Sequence, residues 1–148
     1  MLKIKFAIVL ILLIWNLGNF IEFYIHLADF LLFFHLFFNH LFSFVCHQDA
    51  EKVISFWGKS TLLCSRCSGI YFGAFLFSIV NIFTKQAKLI KTKYLFFAAI
   101  PLIFDVTFTS FGIYNYSKII AFSTGILLGF VGLEFLISTI FTFSDNGE

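Results

Sequence analysis

The sequence predicts an all-α fold: an integral membrane bundle of four to five transmembrane helices, forming a single membrane domain over residues 1–148. Apolar residues make up 60% of the chain and charged residues only 12%, against about 25% charged in soluble domains. So few charges do not solvate the outside of a water-soluble fold, so the outside faces lipid. The apolar residues also fall into runs near the ~20-residue length that a spanning helix needs. Those runs lack the period-two alternation and turn signals of strands. Aromatic residues make up 22% of the chain and most are Phe, which brings no polar group for hydrocarbon to leave unsatisfied. A formal charge of +2 argues for no nucleic-acid partner; the partner that composition implies is the lipid bilayer.

The first candidate span is 4–21. The start Met-Leu-Lys-Ile-Lys has the charge pattern of a signal peptide. No small-residue cleavage site follows, since the run leads to Trp15, Asn16 and Glu22, so it reads as an uncleaved first span. Segment 23–45 is the second, interrupted by His26, Asp29, His35, Asn39 and His40. The most polar stretch follows, with Asp49, Glu51, Lys52 and Lys59, and is expected to form an interfacial cysteine loop over 46–64. The third span, 65–84, opens beside two cysteines. Lysines at 85, 88, 91 and 93 place 85–93 in water or among headgroups. Spans 94–113 and 118–141 complete the set, the first with Pro101 and Asp105, the second with Gly125, Gly129, Gly132 and Glu134.

Five crossings put the amino terminus and the cysteine loop on one side. Four crossings, with 23–45 only dipping into the bilayer, put the amino terminus with the 85–93 lysines. Both layouts set six basic residues against four, so the positive-inside rule does not choose between them. The length of 23–45 favours five spans, with the cysteine loop in the cytoplasm.

Cys46-His47 and the pair Cys64 and Cys67 form the clearest chemical constellation. Thiolate and imidazole are the ligand types zinc prefers, and two intervening residues bring both sulfurs of a CxxC turn to one side. Cys46 or His47 then completes a set from across the loop, with His40, an acid or water as a fourth ligand. The same residues suit thiol–disulfide chemistry. Cys64 and Cys67 lie at the start of a helix, where the dipole and Arg66 favour thiolate, and electrons could pass to a quinone. Ser68 in place of His after Cys67 argues against c-type haem. As apolar fillers at the membrane edge, the cysteines would have no chemistry at all.

Glu22, His26, Asp29, His40, Ser43 and His47 fall within about 100° on a continuous helix. A polar stripe of this kind is either interhelical bonding or a proton or metal path, and its empty stretch between 30 and 39 favours bonding. Asp105 lies mid-span, where an ionised carboxylate costs ~2.5–3.5 kcal/mol on insertion scales, so it needs a partner. Pro101 one turn earlier frees a backbone carbonyl and can bend the span. Ser65, Gly69 and Gly73, and Gly125 with Gly129, recur at the four-residue spacing that lets helices approach closely in lipid.

The string Cys46-His47-Gln48, followed by Cys64-Ser65-Arg66-Cys67-Ser68-Gly69-Ile70-Tyr71-Phe72-Gly73, resembles a family of small prokaryotic membrane proteins, domain-of-unknown-function family 2085. Pro101 to Asp105 and Ser123-Thr124-Gly125 to Gly129 resemble its later elements, and the likeness covers roughly 40–132. Val106-Thr107-Phe108-Thr109 departs from the family's Gly and Gln after the aspartate. The resemblance implies a multi-pass protein of the prokaryotic plasma membrane, with a site made of Cys46, His47, Cys64, Arg66, Cys67, Tyr71 and Asp105. It implies no particular activity, and whether the protein is an enzyme stays open.

The leading expectation is a zinc site at one membrane face. Cys46, Cys64 and Cys67 are its ligands, His47 a ligand or orienting group, and Arg66 the balance for excess thiolate charge. The alternatives are a thiol–disulfide oxidoreductase using Cys64 and Cys67, and a subunit or assembly factor bound to other membrane subunits.

Overall fold

The computed structural model describes residues 2–27, 29–83 and 91–145. The chain is mostly helical. Helix α1 spans Leu2–Asn19 and α2 spans Ile21–Tyr24, followed by a 3-10 turn at Ile25–Leu27 and α3 at Phe30–Ser43. Strands β1 (Val53–Phe56) and β2 (Lys59–Cys64) then lead directly into α4 (Ser65–Phe83); α5 (Thr92–Ser110) and α6 (Lys118–Asp145) complete the fold. The predicted lysine segment 85–93 lies outside the described residues up to position 90. Lys93 is described and sits 5.2 Å from the Tyr94 ring centre.

Among the described residues, three helices are long and apolar enough to cross a membrane: α4, α5 and the Lys118–Ile140 part of α6. This count falls short of the expected four to five. Segment 23–45 does not form one helix. The α-helix gives way to the 3-10 turn Ile25–Leu27, and α3 has 14 residues, roughly 21 Å at 1.5 Å per residue, less than a ~30 Å hydrocarbon core. The break has a tertiary cause. The Glu22 carboxylate accepts the Ser60 backbone N–H at 2.6 Å and the Ser60 hydroxyl at 3.0 Å, and Lys59 donates to the Phe23 carbonyl. With α2 tied to the hairpin, α3 turns back along α1. Phe42 packs edge-on to Trp15, ring centres 4.9 Å apart, and His35 Nε2 lies 3.7 Å from Glu22.

The expectation of an all-α fold is likewise corrected, because the supposed loop 46–64 contains an antiparallel hairpin. Its two-residue turn is Trp57-Gly58, both with positive φ, 51° and 75°, the backbone of a tight hairpin turn. The strands are easy to miss because Thr61, Leu62 and Leu63 are buried in succession and do not alternate. Side chains of α1 and α2 take up N–H groups of β2: Asn19 Oδ1 accepts from Leu63 at 2.8 Å and Glu22 from Ser60.

The α1 and α4 helices run antiparallel. Lys5 Nζ donates to the Asn81 carbonyl at 2.7 Å, and at the other end Asn19 Nδ2 donates to Ser68 Oγ at 2.9 Å. The α4 and α6 helices run parallel, and the predicted glycine faces meet. A methyl group at Gly69 would collide with the Phe122 carbonyl, at Gly73 with the Ile126 backbone, and at Gly129 with the Ile70 backbone. Backbone cannot give way as a side chain can, so Gly129→Ala is expected to destabilise the bundle by about 1–3 kcal/mol through overpacking. Gly132, three residues on, faces open space. Gly132→Ala is expected to be neutral or stabilising by up to ~1 kcal/mol through helix propensity. Thermal unfolding of both variants in detergent checks the pair, and equal effects would dismiss the close contact.

Candidate metal centre

Three cysteines, the CxxC pair and the sequence-distant Cys46, converge where α1, α3, β2 and α4 meet. Cys46 follows α3, its N–H bonded to the Phe42 carbonyl at 2.9 Å, and it is only 7% exposed. Cys64 is the last residue of β2 and Cys67 lies in the first turn of α4. Both are half-buried. The junction between them is pinned by Ser65, whose N–H and hydroxyl each reach the Lys52 carbonyl at 2.8 Å. Asn19 holds it from the other side, through Leu63 before Cys64 and Ser68 after Cys67. The strand therefore ends and the helix begins at a fixed angle, which aims both sulfurs inward.

The three Sγ atoms lie within 4.8 Å of one another, and all three thiols are free. Zn–S bonds of ~2.3 Å in tetrahedral geometry need sulfurs about 3.8 Å apart, so the triad closes on an ion with small side-chain shifts. The Cys64 backbone N–H points at Cys46 Sγ, 3.3 Å away. Hydrogen bonds from the Cys64 and Cys67 side chains hold the Cys46 thiol well below its ordinary pKa. The same side-chain bond to Cys46 pushes Cys64 up. One sulfur of the triad is thus favoured as thiolate. The shell around it is apolar: Ile21, Phe42, Leu62 and Leu63 are buried, with Trp15, Phe38 and Tyr71 packed against them.

The other predicted site residues divide. His47 is exposed and stands outside the group of convergent ligand atoms. Tyr71 packs its ring on Trp15, centres 5.3 Å apart, as part of the wall. Gln48 takes a left-handed φ of 49° and donates to Asn39 Oδ1 at 3.0 Å, fixing the turn after Cys46. Arg66 is not turned to the thiols as a counter-charge. Its Nε and Nη2 both lie 2.7 Å from Asp105 Oδ2, and its guanidinium lies over the Tyr116 ring at 5.0 Å. Asp105, 4% exposed, also accepts the Tyr114 hydroxyl, and that donation raises the Tyr114 pKa. The partner that Asp105 needed is therefore Arg66, and the pair ties α5 to the CxxC turn.

The polar stripe of segment 22–47 does not persist, because the helix carrying it breaks. Glu22 faces Ser60 and His35, and His26 meets Lys59 at 2.9 Å. These are bonds that join elements, and they form no continuous path. Reading the sequence missed Asn19, Trp15, Tyr114 and Tyr116. The available signal was for Asn19, one of two asparagines, with Asn16, near the end of an apolar run.

A mostly helical chain with three helices fit to cross a bilayer and a three-thiol cluster at one end of its bundle is a membrane protein. Residues 46–135 match the family described as predicted membrane protein, DUF2085, and the chain belongs to that family. The matched stretch begins at Cys46 and takes in the whole triad. Two archaeal relatives are similar. An uncharacterised protein of Methanothermobacter thermautotrophicus is 32% identical over 106 residues, 67% of this chain and 89% of the relative. An uncharacterised protein of Methanocaldococcus jannaschii is 29% identical over 104 residues, 68% of this chain and 67% of the relative. No solved structure matches the chain.

Proposed function

We propose that this protein is a multi-pass membrane protein of the plasma membrane that binds one zinc ion through the thiolates of Cys46, Cys64 and Cys67. The observation that carries the reading is the convergence of three sulfurs within 4.8 Å, two from the CxxC turn and one from Cys46, eighteen positions before Cys64. Zinc would replace the hydrogen bonds among the three sulfurs with metal bonds, and soft sulfur donors in tetrahedral reach suit zinc. The zinc would tie the end of α3 to the β2–α4 junction.

The antiparallel pairing of Lys5 with Asn81 supports α1 as a fourth span, with 23–45 returning on one face. That layout puts Lys3, Lys5 and the four lysines of 85–93 on one side, and Lys52, Lys59, Arg66 and Lys118 on the other. The positive-inside rule then puts the cysteine end outside. The expectation of a cytoplasmic loop rested on 23–45 crossing as a single helix.

Competition titration against a chromophoric zinc chelator tests the reading, with one zinc per chain expected. Zinc must displace thiol protons, and each proton displaced lowers the apparent affinity about tenfold per unit of acidification. With at least two displaced, affinity should fall about a hundredfold per pH unit; an affinity indifferent to pH would exclude thiolate ligation.

A second reading, thiol–disulfide exchange between Cys64 and Cys67, draws support from the same proximity and from an outward-facing site, where disulfides persist. Alkylation mass shifts with and without reductant separate the two. Three alkylatable thiols in protein prepared without reductant would count against the disulfide.

A further inference from the structure

We infer that the fourth coordination position of this metal centre is open and accepts an incoming neutral donor, water at rest or a neutral nitrogen base. This deepens the proposed zinc reading and rests on it. Three observations converge. First, the triad has no fourth partner: among the described residues no His, Asp or Glu ligand atom joins the three sulfurs, and His47, next to Cys46 in sequence, is exposed. Second, the nearby cation is spent. Arg66 stands between Cys64 and Cys67 in sequence, but its guanidinium is held by the buried Asp105 carboxylate, so the Arg66–Asp105 pair brings no net charge to the sulfurs. Third, the shell is Ile21, Phe42, Leu62 and Leu63 with Trp15 and Tyr71 against it, a largely apolar wall with the Cys64 N–H already directed at Cys46 Sγ.

The charges then decide the ligand. Three thiolates on a divalent ion leave the centre at −1. A fourth anionic ligand would bring it to −2 inside an apolar wall, where unpaired charge is strongly disfavoured. A neutral donor leaves the centre at −1. Cys64 and Cys67 are half-buried while Cys46 is buried, so any approach runs past the CxxC turn. An open fourth position is what separates a metal centre able to exchange ligands from a closed structural one.

Cobalt(II) loaded into the full-length protein in detergent reads this directly, because its d–d bands follow the fourth ligand. Imidazole, as the neutral probe, is expected to shift those bands in a saturable titration. Azide at the same concentrations is expected to leave them unchanged, and His47→Ala to show the wild-type spectrum before any probe is added. Three results would overturn the inference while leaving the metal site intact. Bands that imidazole does not move mean a closed site. Bands that azide moves as readily mean that charge does not select the ligand. A resting spectrum altered by His47→Ala makes His47 the fourth ligand. If cobalt gives no thiolate charge-transfer band at all, the metal reading fails and takes this inference with it.

Discussion

Truncating Asp105 to alanine is expected to destabilise the protein by about 3 kcal/mol, the low end for a buried pair, because it leaves the half-buried Arg66 guanidinium without its counter-charge. The Arg66 and Asp105 side chains are 18% and 2% exposed, so water can replace the carboxylate only in part. The loss also frees the Tyr114 hydroxyl, which now donates to Asp105. Arg66→Met should be costly for the mirror-image reason. The double variant Arg66→Met with Asp105→Leu should be less destabilised than the sum of the singles, since replacing both partners of a buried pair by apolar groups is often neutral. Thermal unfolding in detergent measures the cycle. Additive losses would mean that the two residues do not interact as described. Because Arg66 sits inside the CxxC turn, the Asp105 variant should also weaken zinc binding, whereas a packing variant such as Gly129→Ala, placed deeper in the α4–α6 contact, should alter stability more than affinity.

The second large effect concerns the triad. Cys64→Ser is expected to lose both bound zinc and folded yield, because Cys64 lies at the junction of β2 and α4 and its Sγ is one of the three convergent sulfurs. A three-thiolate centre reduced to two loses a ligand that serine, protonated at neutral pH, does not replace. Cys46→Ser should do the same and also place a hydroxyl in a wall built of Phe42 and Leu63. His47→Ala should keep metal and fold, since His47 is exposed and outside the triad. If Cys64→Ser retains zinc at full occupancy, the triad is not the ligand set.

The spans were legible where hydropathy alone decides, as in α4, α5 and α6, and the four-residue glycine spacing correctly marked the contact between α4 and α6. Segment 23–45 was misjudged because its apolar length suits a span, while its fate is set by Glu22 binding Ser60, a residue 38 positions away. The hairpin was hidden for two reasons. Its turn carries Trp57 where Asn or Asp is usual, and β2 is buried on consecutive residues beneath α1 and α2. At the site, the grouping of Cys46, Cys64 and Cys67 was legible because the chain has just three cysteines, two of them already paired by the CxxC spacing. The role of Arg66 was not: a cation between two cysteines suggests thiolate balance, and only the fold reveals that Asp105 holds it. Asn19, Tyr114 and Tyr116 act through tertiary contacts that no local spacing encodes.

The central claim, a metal centre built on the three thiols, is tested most directly by the metal content of detergent-purified protein never exposed to chelator, measured by elemental mass spectrometry. About one zinc per chain, lost in Cys64→Ser, is the result predicted for a single triad. Protein that is folded, carries three free thiols and contains no metal would contradict it.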